Sequence, residues 1–211
     1  MKKIIVLFIV LFTFSKTEAQ VTFGIKSGLN LSIAEYLDES KNELIKPYRK
    51  LKPGLIAGAF INISLNKILS IQTELLYSQK GLKFIQEKYN KKVINTMNYV
   101  VLPITGQYKI YLTKYDFISI YIGGFVAFWT DGKNKATSLL SGETVAVNVD
   151  FSNEFYKYSR FDAGLLGGAS YKFNKKFGID LRYTHSRLSS SEEYADGISN
   201  RVTAISLTYS F

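Results

Sequence analysis

From Val21 to Phe211 one pattern recurs eight times: an apolar residue at every second position, with glycine, polar or charged residues between. Side chains along an extended strand point alternately to opposite faces, so each such run makes a strand with one greasy and one polar face. The runs are Val21–Leu31, Pro53–Leu65, Leu69–Tyr77, Val100–Ile110, Ile118–Phe128, Phe161–Phe173, Phe177–Tyr183 and Thr203–Phe211. Fifteen Phe and fifteen Tyr against three Pro in 211 residues also favour strands over linkers or disorder. With no Cys, disulfides, thiolate metal sites and cysteine nucleophiles are excluded together.

The connections alternate as regularly as the side chains. Short turns fall near Asn66-Lys67, Thr113 to Asp116 and Asn174 to Lys176; long polar segments fall at Ser32 to Lys52, Lys83 to Asn95, Asp131 to Tyr158 and Ser189 to Asn200. Long and short connections at opposite ends describe an all-β, eight-stranded, antiparallel up-and-down barrel with both termini at the short-turn end.

Two barrels satisfy that pattern, one with its apolar face inside and one inside-out. Eight strands enclose a lumen only just filled by side chains. Eight stripes of Ile, Leu, Val, Phe and Tyr exceed that space but suit lipid, so the glycine-rich and charged face is placed inside a transmembrane barrel. Closure also pairs every backbone amide, which hydrocarbon requires. The lumen is then expected to hold Lys26, Glu74, Lys109, Asp162, Lys172, Asp180 and Arg182. Unpaired charge in so narrow a space is costly, so these groups are expected to neutralise one another as an ionic plug rather than line a conducting path. Aromatic residues gather beside the short turns: Tyr111, Tyr115, Phe117, Phe173, Phe177, Tyr209 and Phe211. Rings with an apolar body and a polar edge suit the bilayer interface, and these are expected to form the periplasmic girdle.

Residues 1–19 have the form of a secretory signal peptide. Lys2 and Lys3 precede an apolar stretch beginning at Ile4, too short to span a bilayer, and small Thr17 and Ala19 precede a cut expected after Ala19. The domain is then 20–211, exported to the outer membrane. Of the formal charge of +10, removal of three lysines and one glutamate leaves +8, so basic character belongs to the mature chain.

Several stretches resemble the small outer-membrane β-barrels of Bacteroidetes, the PorT-like porin-family proteins: FGIKSGLNLS from Phe23, KPGLIAGA from Lys52, IQTELLYSQKG from Ile71, NYVVLP from Asn98 and NRVTAISLTYSF from Asn200. The resemblance implies an outer-membrane barrel whose aromatic ending, Tyr209 and Phe211, is read by the barrel-assembly machinery. For PorT itself it implies a part in protein secretion.

Chemistry is sparse. The lone His185 falls on the lipid-facing register, opposite in sense to Asp180 and Ser186, and so lacks a catalytic partner. One His and no Cys leave no transition-metal set, and no cofactor is expected. The remaining signal lies in the long segments, where Lys46, Arg49, Lys50, Lys88, Lys91 and Lys92 suit lipopolysaccharide phosphates or an acidic protein partner. After Ser141-Gly142-Glu143 the alternation of Val145, Val147 and Val149 reads as a hairpin beyond the membrane, with an edge open to β-augmentation by a surface or secretion-system partner. The leading reading is a non-enzymatic barrel acting through its loops. A narrow porin and a rim enzyme acting on lipid are the alternatives; nucleic acid is excluded by export and by the lack of a basic recognition helix.

Overall fold

The computed structural model describes residues 20–36, 38–151, 160–188 and 198–211; the expected signal segment 1–19 lies outside them. The strands are β1 (Val21–Tyr36), β2 (Arg49–Lys50), β3 (Lys52–Ser64), β4 (Leu69–Gln86), β5 (Lys91–Tyr111), β6 (Phe117–Ser138), β7 (Thr144–Asn148), β8 (Phe161–Phe173), β9 (Phe177–Leu188) and β10 (Ile198–Ser210). A seven-residue helix α1 (Glu39–Ile45) and a 3-10 turn (Lys46–Tyr48) lie between β1 and β2. Eight strands close a ring in the order β1, β3, β4, β5, β6, β8, β9, β10, each pair antiparallel, with β10 returning to β1. Each ring strand contains one of the eight alternating runs.

The ring is inside-out. Ile25, Leu75, Leu165 and Leu207 are 50–70% exposed, whereas Lys26, Glu74 and Arg182 in the same strands or their neighbours are 2–3% exposed. Along β5, about ten residues from Val100 to Ile110 carry the outward apolar stripe; at about 3.3 Å each and a tilt near 40° they cover about 25 Å, the height of an outer-membrane apolar band.

Local chemistry sets the short turns. Asn66 Oδ1 accepts the amides of Ile68 and Leu69 at 2.9 and 2.7 Å, and Thr113 Oγ1 accepts those of Tyr115 and Asp116 at 3.2 and 3.0 Å. Asn174 and Lys175 take left-handed φ of 51° and 58°, the sense that matches a hairpin to the twist of its strands.

Much of what reads in the sequence as long loop is strand. β4 and β5 pair from Gln86 and Lys91 downward, β5 pairs with β6 as far as Ser138, and β7 adds to β6 through Lys133↔Asn148 to Thr137↔Thr144. With β2 on the other side of β4, this makes a sheet standing beyond the ring on one side. Above the membrane both faces meet water, so backbone pairing persists while the hydrophobic alternation that reveals it fades.

Candidate functional site

The inward face builds a stack of three layers. The middle one is ionic. Glu74 on β4 receives Arg182 on β9 in a two-pronged pair, Nη1 to Oε2 at 2.9 Å and Nη2 to Oε1 at 2.7 Å, and also Lys26 Nζ at 3.2 Å and Gln72 Nε2 at 2.6 Å. Lys26 reaches Asp180 at 3.1 Å, and Tyr121 donates its hydroxyl to Asp180 at 2.7 Å. β4 and β9 stand four places apart in a ring of eight, so the Glu74–Arg182 pair spans the full width of the lumen.

Toward the long-connection end comes a second pair, Lys80 to Asp162 at 3.4 Å, with Ser186 donating to Asp162 at 2.9 Å. Lys80 Nζ also lies 4.7 Å from the ring centre of Tyr99 and 4.9 Å from that of Phe125. Around it is an apolar layer: Trp129 stacks on Tyr99 at 6.1 Å and meets Phe151 edge-on at 4.9 Å, with Leu76, Met97 and Leu166 buried alongside. Ions and rings together fill this half of the lumen.

Toward the short turns the lumen opens into a cavity of about 470 Å³. Its inner end carries Lys26 and Asp180, and its wall carries Asn62, Gln107, Lys109, Phe117 and Lys172. The seven charges expected to cancel therefore divide. Lys26, Glu74, Asp180 and Arg182 share one network and Asp162 takes Lys80. Lys109 and Lys172 join neither; among the described residues their hydrogen bonds go to the neutral acceptors Ser64 (2.9 Å), Asn62 (3.5 Å) and Ser210 (2.6 Å).

The short-turn aromatics divide too. Phe173, Phe177, Tyr209 and Phe211 form a continuous outward line with ring separations of 6.0, 5.1 and 5.5 Å. Tyr111 and Phe117 stand on the inward register with Lys109 and Ser119, and with Tyr115 they border the cavity mouth, which the terminal Phe211 also reaches. A list of aromatics near turns does not separate the two groups; counting parity from Lys109 and from Tyr121 does.

Outside the ring, register orders the basic residues. The outward row Tyr77–Val100–Phe128–Phe161 tops the apolar band, with Phe128 and Phe161 edge to face at 5.2 Å. Beyond it come Gly81–Thr96–Lys133, then Lys50–Lys83–Ile94–Lys135, then Ile85–Lys92–Thr137. Five lysines thus share the face that continues the lipid-facing side. Of the residues picked from sequence, Lys50 and Lys92 belong to this set. Lys46 pairs with Glu43 at 2.8 Å, Arg49 with Glu35 at 2.8 Å and with Asn42, Lys88 lies over Tyr89 at 5.9 Å, and Lys91 takes the opposite register. Lys133 and Lys135 were hidden because a residue's face is set by its pairing, and a bulge opposite Asn98/Tyr99 shifts the parity of β6 beyond Trp129.

His185 is exposed on the outward face, while Ser186 is buried and engaged with Asp162, so the two do not meet. Among the described residues no group of three or more His, Asp or Glu is placed to hold a metal ion.

Residues 15–191 match the family profile described as "Outer membrane protein beta-barrel domain". Similar solved structures include the outer membrane protein OprG of Pseudomonas aeruginosa (TM-score 0.50, 12% identity, 92% of this chain and 97% of that one), Neisserial surface protein A (0.48, 10%, 91% and 99%) and Ail, the attachment invasion locus protein of Yersinia pestis (0.47, 14%, 92% and 100%). The likeness to OprG is one of fold. No curated protein sequence matches the chain.

Proposed function

Because the chain belongs to the outer membrane protein β-barrel domain family, we propose that it is a non-enzymatic barrel whose projecting sheet holds the phosphates of lipopolysaccharide. The observation that carries this reading is the outward lysine set Lys50, Lys83, Lys92, Lys133 and Lys135, standing just beyond the aromatic row that ends the apolar band. Rows on one face are about 7 Å apart and strands about 4.8 Å, so the five ammonium groups form a patch on the order of 15 Å across. Asp131 also stands on this face, with its carboxylate engaged by Asn98 at 2.6 Å and Thr130 at 3.0 Å. Residues 1–19 serve this role as a cleaved export signal.

Replacing Lys83, Lys92, Lys133 and Lys135 with Gln in the folded barrel is expected to weaken binding of purified lipopolysaccharide at least tenfold and to flatten its salt dependence. Unchanged affinity, in protein that keeps the altered gel mobility of an unboiled barrel, would overturn the reading.

A second role, PorT-like participation in secretion by a member of the Bacteroidetes, is favoured by β7. All five of its residues are exposed, and among the described residues it pairs only with β6, leaving an edge on which a partner's strand can add. The narrow-porin alternative is disfavoured by the cross-lumen ion pairs and the aromatic layer above them.

A further inference from the structure

We propose that the cavity at the short-turn end is a binding pocket for a small anionic solute bearing phosphate or carboxylate groups, entered from the periplasmic side. The pocket is blind: its inner end is the Lys26–Glu74–Arg182–Asp180 network, in which two cations already meet two carboxylates. That end has no carboxylate to spare for the wall. Yet the wall carries two more ammonium groups, Lys109 and Lys172, whose Nζ atoms lie 5.6 and 5.9 Å from the centre of the same ring, Phe117. Both therefore border one ring and one cavity, and among the described residues no carboxylate lies within 4 Å of either.

Like charges sharing a confined space repel, and an anion drawn into it lowers that repulsion and gains charge-assisted hydrogen bonds. A neutral amide lies beside them in Gln107, whose Oε1 accepts from Asn62 at 3.2 Å. Lys114, Lys175 and Lys176 edge the opening, with Lys175 held 4.4 Å over Tyr115, so the field at the mouth also draws anions inward. Asp116, on the nearby β5–β6 turn, is occupied by the Asn174 amide at 3.0 Å. A volume of about 470 Å³ falls within the range of small-molecule sites.

The test uses the refolded barrel in zwitterionic detergent, titrated separately with inorganic phosphate and citrate and followed by calorimetry and by amide NMR shifts. Saturable one-to-one binding of either probe is expected, with shifts at Lys109, Lys172 and Ser210, a loss of at least tenfold in K109Q/K172Q and no loss in K67Q, a lysine exposed on the β3–β4 turn away from the cavity. Non-saturable binding, or equal binding by wild type and K109Q/K172Q, overturns the proposal. Should the double variant fail to fold, K172Q, whose side chain is only half-buried, decides by the same comparison. The outward lysines play no part in this measurement, so its outcome is independent of lipopolysaccharide binding.

Discussion

Glu74 accepts hydrogen bonds from Lys26, Gln72 and both arms of Arg182 while almost fully buried. Lys26 keeps Asp180 if Glu74 is lost, but Arg182 keeps only a 3.9 Å contact from Nε to Asp180 and the Tyr121 hydroxyl at 3.4 Å. Glu74→Ala therefore leaves a buried guanidinium poorly matched, and a loss of about 3–5 kcal/mol is expected in urea unfolding of the detergent-folded barrel. Gly168 has a related role. It faces Tyr121 across the β6–β8 pair, and a Cβ there would come within 2.3 Å of the Leu181 carbonyl oxygen and 2.5 Å of the Tyr121 hydroxyl. A bare backbone lets the end of the ring approach the neighbouring strand, its hydroxyl 3.4 Å from the Leu181 carbonyl. Gly168→Val is expected to cost about 1–3 kcal/mol in the same assay by pushing Tyr121 off Asp180.

At the scale of elements, the ring strands and the projecting sheet answer to different solvents. A ring strand must show lipid an unbroken apolar stripe, and the eight runs do so. The upper parts of β4, β5 and β6 continue the same hydrogen-bond ladders with lysines on the outward face, as suits a sheet leaving hydrocarbon for charged headgroups and water. β7 contributes pairing to β6 but nothing to closure. Replacing residues 139–148 with a short Gly-Ser linker is accordingly expected to leave the heat-modifiable mobility of the barrel intact, because Val149 and Phe151, which pack on the buried cluster, are retained. Loss of the fast-migrating folded form would show that the hairpin helps close the ring.

For the molecule as a whole, closure and filling decide what it can do. Among the described residues, the Glu74–Arg182 pair and the rings of Trp129, Tyr99 and Phe125 lie across the lumen, with a chamber at one end. Reconstituted into liposomes, the protein is expected to give no swelling with small sugars and no steady single-channel current; sustained conductance would mean that the ionic layer opens. The anion chamber and the outward lysine patch lie at opposite ends of the barrel, separated by that filled section, so ligands at the two sites do not meet.

Fold and orientation were legible in the amino-acid order because lipid on one side and a narrow lumen on the other impose a two-residue period, and a one-residue slip would turn every side chain to the wrong solvent. Lys26, Glu74, Asp162, Asp180 and Arg182 alternate with the apolar positions of their strands, on the inward parity. Which of them meet was decided by ring order, since contacts across a barrel join strands distant in sequence, and so Lys80 found Asp162 while Lys109 and Lys172 were left facing the chamber. The lysine patch likewise waited on tertiary structure. Past the membrane no solvent contrast marks the faces, and only strand pairing, with the bulge in β6, brings Lys83, Lys133 and Lys135 onto one side.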